Sequence, residues 1–517
     1  MATMAAKTNN NALLGTGKIC LTKSTGVSNV CPSNNYLSDI CTVILMLIGS
    51  TAAYAADWTV KPTLSVLETY SDNVNLSPQK AKSGFTTQIS PGVTVTGTSV
   101  GRVKLNVNYS LQDVISFGEV QSNSIRHQLA GTANAILVDQ VLFVDARANI
   151  GQQNISYLGP QGTDTTIGDT SNITTVSTFS VSPYLRHKFG SVATGEARVT
   201  HDQVFYSSGG TSDSASNALG LNLNSGPAFN DVYWGLNYKN SKINSGASQT
   251  DRESKSTSGT LGYRLTPKLR LFTSAGKETN TYATAPGAST GGSFWSAGFG
   301  WTPTTRTAIE ASYGNRFFGK TYTLNMSHRA RSTTWQANYS QDVSDTRTVA
   351  LRPEQKYGEY DPTKNLLTLY VDPATGKLAP ITYYIPYLSN DVFINKMFTT
   401  SVGLHSGKSD FTLAAFNSIR EFQLSGTSDK QYGGNASWAL KLTPLVSSNI
   451  SAGWSRVQVP ASALQNDLWS LRFALSKQFL PGTSGSVELR HQERSSNQAN
   501  SDYTENAITA RLNMTFN

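Results

Sequence analysis

Ser293–Arg347 reads SFWSAGFGWTPTTRTAIEASYGNRFFGKTYTLNMSHRARSTTWQANYSQDVSDTR, and this stretch decides the fold. Four short alternating runs sit in it with almost nothing between them. Trp295, Ala297, Phe299 and Trp301 share one parity. After Thr302-Pro303-Thr304-Thr305 come Thr307, Ile309, Ala311 and Tyr313; after 315–319 come Tyr322, Leu324 and Met326; after 328–331 come Trp335, Ala337 and Tyr339. The intervening positions are mostly Ser, Thr, Gly, Asn, Gln and charged residues. A period of two places successive side chains on opposite faces of a strand. The apolar faces carry Trp and Tyr near strand ends, and the polar faces lack the large aliphatics that a sandwich core needs. This combination predicts a transmembrane antiparallel β-barrel, with lipid outside and water inside.

The first 55 residues read as a leader. Residues 1–39 are polar, and the apolar run Ile40–Gly49 is too short to span a bilayer as a helix. Ala53-Tyr54-Ala55 fits the small-x-small cleavage pattern, which places the mature start at Ala56 and gives 1–55 to a signal peptide. The long polar lead leaves a start codon further downstream as an alternative, and an uncleaved anchor helix as another. Cys20, Cys31 and Cys41 all precede the cut, so the exported chain carries no thiol for zinc, an iron–sulfur cluster or nucleophilic catalysis. No C-x-x-C-H haem-attachment site occurs.

The net charge is +9, of which three Lys and one Asp lie in the leader, leaving +7 on residues 56–517. The basic residues are spaced singly along the strands, without the patch or basic helix that a nucleic-acid interface requires. After residue 55 no apolar run approaches the roughly 20 residues of a membrane helix. The mean hydropathy of −0.29 suits a barrel, because only every second residue faces lipid.

Outward from the decisive stretch, the same pattern fills the chain. Alternation begins at Trp58–Tyr70, directly after the expected cut, leaving no room for a plug domain of the kind TonB-dependent transporters carry. Strands are expected over 85–96, 103–111, 126–138, 141–152, 173–188, 192–206, 217–225, 231–239, 255–265 and 269–278, then through the four runs above. They resume over 398–405, 410–421, 435–442, 446–456, 467–478, 484–494 and 503–516. The sum is about 22 strands, within a range of 18–26, an even number as single-chain bacterial barrels require. Short connections (97–101, 139–140, 189–191, 266–268, 302–305, 328–331, 443–445, 479–483) alternate with longer ones rich in Ser, Gly, Asn and Asp. That asymmetry puts both termini in the periplasm. Thr-Pro recurs at 266–267, 302–303 and 443–444, where proline presets φ for a reversal. A fixed 20–50-residue repeat, which a solenoid or propeller would show, is missing.

Several stretches resemble the uncharacterised outer-membrane barrel family associated with the exosortase/PEP-CTERM system of Gram-negative bacteria. They are Pro62–Val74 (PTLSVLETYSDNV), Tyr263–Asn280, Gly298–Val343, Asn390–Lys396 (NDVFINK) and the closing Tyr503–Phe516 (YTENAITARLNMTF). The chain is also similar, more loosely, to β-barrel porins encoded in exopolysaccharide operons. The resemblance covers essentially all of 56–517. It implies an outer-membrane location and a setting near exopolysaccharide and protein export, but no known activity. The last strand places Ile508, Ala510, Leu512, Met514 and Phe516 on one parity. Phe516, penultimate before Asn517, resembles the signal read by barrel-assembly machinery. Outer-membrane lipid and lipopolysaccharide are the surroundings such a location implies.

Any selectivity must reside in the lumen. The alternation assigns Arg102, Lys104, Arg126, Arg147, Arg186, Arg198, Arg264, Arg270, Arg306, Arg472, Arg490 and Arg511 inward, against the fewer acids Asp145, Glu196, Glu310 and Glu488. Such a bias favours anionic solutes, including acidic polysaccharide. The plainer alternative is that Arg–Glu pairs, for example Arg306 with Glu310, satisfy one another across strands. A one-residue register slip would reverse a whole strand's assignment. The long insertion 343–395 contains the Tyr- and Pro-dense Leu367–Pro386, with a tight turn at Asp372–Gly376 between two short strands. It is expected as a pore constriction, a lid or a plain surface loop.

Catalysis is not expected. The six histidines (127, 187, 201, 328, 405, 491) lie on distant strands, and phosphate-loop and dinucleotide fingerprints are absent. Ser71-Asp72-Asn73 is weighed as a calcium ligand set and read as ordinary solvated loop residues. No cofactor and no metal is expected. Three readings follow: a porin-like channel or export component, a non-conducting barrel that docks surface polysaccharide or sorted proteins, and a sheath around a partner protein. The oligomeric state is not legible.

Overall fold

Period-two segments cannot satisfy their backbone groups alone, and in lipid an open sheet edge is prohibitively costly; closure into a barrel solves both problems. The computed structural model describes residues 56–99, 102–119, 121–156, 159–161, 171–246, 251–351, 359–361, 366–368 and 388–516. The leader with Ala53 and Ala55, and the turn expected at Asp372–Gly376, lie outside them.

The first part of the wall comprises β1 (Ala56–Ser71), β2 (Gly84–Ser99), β3 (Val103–Gly118), β4 (Ser122–Val138), β5 (Leu142–Asn154), β6 (Ile173–Phe189), β7 (Ala193–Tyr206) and β8 (Ser214–Ser225). It continues through β9 (Val232–Ser245), β10 (Arg252–Thr266), β11 (Leu269–Thr281), β12 (Gly291–Thr304), β13 (Thr307–Arg316), β14 (Gly319–Arg329) and β15 (Thr333–Ser344). A short helix, α1 (Thr346–Leu351), follows, then two three-residue strands, β16 (Glu359–Asp361) and β17 (Leu366–Thr368), which pair with each other. The wall resumes with β18 (Phe393–Ser406), β19 (Ser409–Phe422), β20 (Ser428–Thr443), β21 (Val446–Val459), β22 (Leu464–Leu480), β23 (Thr483–Ser496) and β24 (Tyr503–Thr515).

Every wall strand pairs antiparallel with its sequence neighbour, and β15 pairs directly with β18 across the insertion. β1 pairs with β24 from Thr63–Thr515 to Ser71–Ala507, closing a 22-stranded sheet. The Phe516 amide donates to the Pro62 carbonyl at 2.9 Å, so the penultimate residue completes this seam. Among the described residues none forms a plug domain, and no helix is long and apolar enough to cross a membrane.

The four expected runs around Trp301 are strands β12–β15, with the expected outward rows. The turn inside them is tighter than expected. Pro303 stays in β12 at a register shift between Trp301 and Thr304, and the reversal is Thr305–Arg306. Thr304 Oγ1 accepts the Arg306 amide at 3.2 Å, as Thr266 and Thr443 accept the Lys268 and Leu445 amides in their own turns. Gly190 (φ 58°) and Gly482 (φ 80°) serve two other reversals at this lower end, where a left-handed residue is needed. Many strands run further at the opposite, upper end than alternation indicated: β3 continues to Gly118, and β20 begins at Ser428. Above the lipid both faces are wet, so the polarity contrast fades while the ladder continues. The longer connections gather at this upper end, which is the extracellular one.

Exposed Val60, Phe85, Leu236, Leu261, Leu271, Phe299, Leu413, Leu471 and Leu489 form an apolar belt around the outside. Aromatic clusters edge it, including Trp295–Tyr313–Tyr322 and Tyr432–Trp454–Trp469. A closed wall with an apolar exterior and a polar interior is the architecture of an outer-membrane barrel. Leu324, paired between Ala311 and Tyr339, lies in mid-belt. Leu324→Arg is expected to lower the unfolding free energy in lipid by about 2–4 kcal/mol, measured by urea titration; an unchanged midpoint would mean that this face does not meet hydrocarbon.

Candidate functional site: a polar lumen entered by loops

Twenty-two strands spaced about 4.8 Å apart and tilted about 40° give a wall roughly 140 Å around and about 44 Å across between backbones. Facing side chains cannot bridge that width. Anything that narrows the lumen must therefore bring backbone inside.

The upper half does so. Gly159–Gln161, in the β5–β6 connection, reaches β24 and β23 past the four strands β1–β4. Arg494 Nη1 donates to the Gly159 carbonyl at 2.5 Å, and Gln492 Nε2 donates to the Gln161 carbonyl at 2.5 Å. The Tyr503 hydroxyl also donates to the Gln161 carbonyl and accepts from Gln492 Nε2 at 2.7 Å. Gln492, Arg494 and Tyr503 belong to inward rows and are buried.

The start of the insertion enters from the other side. Wall strands end and resume at Ser344 and Phe393, so the insertion proper is 345–392. α1 packs on β6 and β7, far around the wall from β15. Asp345, itself buried, accepts from the partly buried Arg252 of β10 at 2.8 Å, and its carboxylate also takes the Thr348 amide at 2.6 Å. Arg347 Nη2 donates to Ser216 Oγ of β8 at 2.8 Å and to the Asp202 carbonyl of β7 at 3.3 Å. Burial holds the Arg347 guanidinium below its ordinary pKa, against the pull of Asp345. Thr346 and Ser389 exchange two hydrogen bonds, tying the two ends of the insertion together. The Leu388 amide donates to the Ile155 carbonyl at 3.0 Å, joining the insertion to the β5–β6 connection. On the remaining side, the Ala285 amide donates to the Gln423 carbonyl, and Asp391 accepts the Leu424 and Ser425 amides. The described ends of 345–392 thus lie against inward rows, as a constriction would.

Around these loops the upper inward rows are polar yet buried: Thr69, Thr86, Gln88, Gln112, Thr174, Ser216 and Asn280 among them. Ion pairs neutralise several of the charges there. Arg420 holds Asp429 at 2.7 Å, Arg490 holds Glu505 at 2.9 Å, and Arg316 joins Glu278 at 2.5 Å and Asp342 at 2.9 Å. Tyr282 packs at the top of β11; burial beside the Glu278 carboxylate raises its pKa to about 12.

The lower half differs. Phe143 and Tyr184 stack with centroids 5.0 Å apart, and Arg198 lies 3.8 Å from the Tyr184 centroid. Arg198 pairs with Asp145 at 2.8 Å and with Glu196 at 3.2 Å, and Arg186 pairs with Glu196 at 2.8 Å. Lys61, Lys104, Arg147, Lys441 and Arg511 stand on inward rows of β1, β3, β5, β20 and β24, with no ion pair among the described residues. Near the rim Arg264 donates to the Phe229 and Asn230 carbonyls, and His405 meets Asp410 at 2.5 Å.

Of the residues read as lumenal bases, Lys104, Arg126, Arg147, Arg186, Arg198, Arg264, Arg270, Arg472, Arg490 and Arg511 lie on inward rows. Arg102 and Arg306 sit at lower turns instead, Arg102 paired with Asp139 at 2.8 Å. The suggested Arg306–Glu310 pair does not form; Glu310 pairs with Arg270, two strands away. Gly300 lies between them in register and makes this possible, because a Cβ there would collide with the Arg270 side chain. Arg472 approaches Glu488 only to 4.0 Å, and two of its nitrogens are buried without a partner. Sequence reading missed Arg252, Arg316, Arg347, Arg420 and Arg494, which flank upper loops where alternation is lost. Asp72 is engaged by Asn506, whose amide and side chain each donate to it at 2.8 Å. Among the described residues no cluster of potential metal ligands occurs.

No family model and no curated protein matches the chain. Solved structures similar to it include the FrpB iron transporter from Neisseria meningitidis (F5-1 variant), 10% identical, with TM-score 0.49, covering 88% of this chain and 82% of that one. The siderophore receptor PirA from Acinetobacter baumannii is 9% identical, with TM-score 0.48 and coverage of 89% and 81%. PirA from Pseudomonas aeruginosa is 11% identical, with TM-score 0.41 and coverage of 89% and 80%.

Proposed function

We propose that this outer-membrane barrel is a channel for anionic solutes, acidic saccharide chains foremost, that are admitted at the periplasmic mouth and held back by loops in the extracellular half. The carrying observation is the uneven lumen. Its lower half is lined by Lys61, Lys104, Arg147, Lys441 and Arg511, which have no ion pair among the described residues, and its upper half is crossed by backbone at 159–161 and 345–351. Transport needs no covalent step: the lysines and arginines replace counter-ions along the wall, and the loops set the narrowest section. The resemblance to barrels of exosortase/PEP-CTERM and exopolysaccharide loci supports export as the direction.

The test is current interruption in a planar bilayer with barrels of known orientation. Oligogalacturonate added at the lower mouth is expected to block at least about tenfold more often than a neutral dextran of equal length, since charged clefts raise counter-ion on-rates by 10 to 10³. Equal blocking by the two sugars would sink the proposal. A second reading, a non-conducting barrel that docks surface polysaccharide or sorted proteins through 345–392, draws on the same inward loops. Folded, heat-modifiable protein that never conducts would favour it.

A further inference from the structure

The outer face of β8–β11 departs from the rest of the belt. Its outward rows bring Gly259 and Ala275 side by side, where neighbouring strands carry large side chains. Leu223, Leu236 and Tyr238 wall one side, and Trp295 is the register partner of Ala275 on the next strand. The small residues leave a furrow of about 550 Å³ in the lipid-facing surface. Leu236 leans toward it, its Cδ2 lying 3.5 Å from where a Gly259 Cβ would stand.

The extracellular end of this furrow is cationic. Lys277 pairs in register with Thr257, Lys255 lies two residues further up β10, and Lys242 pairs with Glu253 above it. Successive lysines are therefore diagonal cross-strand neighbours, about 7–8 Å apart. All three occupy outward rows. Glu253 receives Lys255 at 3.0 Å and Lys242 at 3.8 Å, which holds two ammonium groups side by side, with Lys277 below them. Charge of this sign at headgroup depth, directly over an apolar furrow, matches one molecular shape: acyl chains below and phosphate above.

We propose that the β8–β11 face binds one molecule of the phosphorylated glycolipid of the outer leaflet. Its acyl chains lie in the Gly259–Ala275 furrow and a phosphate sits on Lys242, Lys255 and Lys277. The site is independent of conductance through the lumen, so the two proposals fail separately.

The test titrates the detergent-purified barrel with lipid A and reads bound lipid by native mass spectrometry. The intact chain is expected to hold one lipid A. The variant carrying K242Q, K255Q and K277Q is expected to bind on the order of a hundredfold more weakly, given the contribution of each lysine near an anionic headgroup. Ala275→Phe keeps every lysine but fills the furrow, and is expected to weaken binding comparably while the barrel stays heat-modifiable. Inorganic pyrophosphate at millimolar concentration should leave lipid A in place. Binding unchanged in both variants, or lipid A displaced by pyrophosphate alone, would overturn the proposal.

Discussion

Asp345→Ala is expected to convert a barrel that dwells in a narrowed state into one that stays open. The carboxylate is buried, accepts Arg252 at 2.8 Å and caps the first turn of α1 through the Thr348 amide. Without it, the Arg252 and Arg347 guanidiniums face each other without their shared counter-charge. Arg347 has little else to compensate, because its Nε is buried with no partner among the described residues and its Nη2 already serves Ser216 and Asp202. Removing one partner of a buried ion pair costs about 3–5 kcal/mol. The released insertion relieves that cost only by leaving the wall, so the ratio of open to narrowed barrels should rise by on the order of a hundredfold or more. Single-channel recording would show longer open dwells and larger steps. Asp345→Asn, which keeps the cap but not the charge, should lie between. Unaltered dwell times in both variants would show that α1 does not restrict the pore.

The second large effect concerns ion preference. Replacing Lys61, Lys104, Arg147, Lys441 and Arg511 together with glutamine leaves Asp145, Glu196, Glu310, Asp410 and Glu488 among the inward acids of the lower half, each already facing a base. The anion preference should collapse toward none, and the corresponding glutamate set should reverse it. Screening sets the conditions. The Debye length is about 10 Å at 0.1 M salt and about 3 Å at 1 M, so wall charges command much of the lower lumen only in dilute salt. Preference that persists at 1 M would place the selective residues in a narrower section than the lower vestibule.

The wall was legible because lipid enforces it. Every outward residue in the belt must be apolar, so Trp295–Trp301 and Tyr322–Met326 alternate cleanly, and inward rows follow from parity alone. The interior of the upper half was not legible, for the same reason in reverse. Residues 112–118 and 428–434 meet water or loops on both faces, and nothing in their polarity reports that the ladder continues. Arg347 looks like any exposed loop arginine in sequence; only the path of α1 across the lumen buries it against Ser216. The Arg270–Glu310 pair was missed because the partner of Glu310 was sought in Arg306, close to it in the chain, which the structure places at the turn. The empty site at Gly300 instead lets Arg270 reach across an intervening strand, and an inward glycine between opposite charges is a signal that sequence reading can use. The outer furrow at Gly259 and Ala275 likewise needs the register of β10 against β11 before two unremarkable small residues become neighbours.

A basic, conducting lumen is tested most directly by the reversal potential of the barrel, residues 56–517, across a planar bilayer with a KCl gradient centred near 0.1 M. The potential is expected to carry the sign that marks chloride as the preferred ion, and to decline as salt is raised. A potassium-preferring potential, or a folded barrel with no conductance either unaltered or as Asp345→Ala, would contradict a basic, conducting lumen.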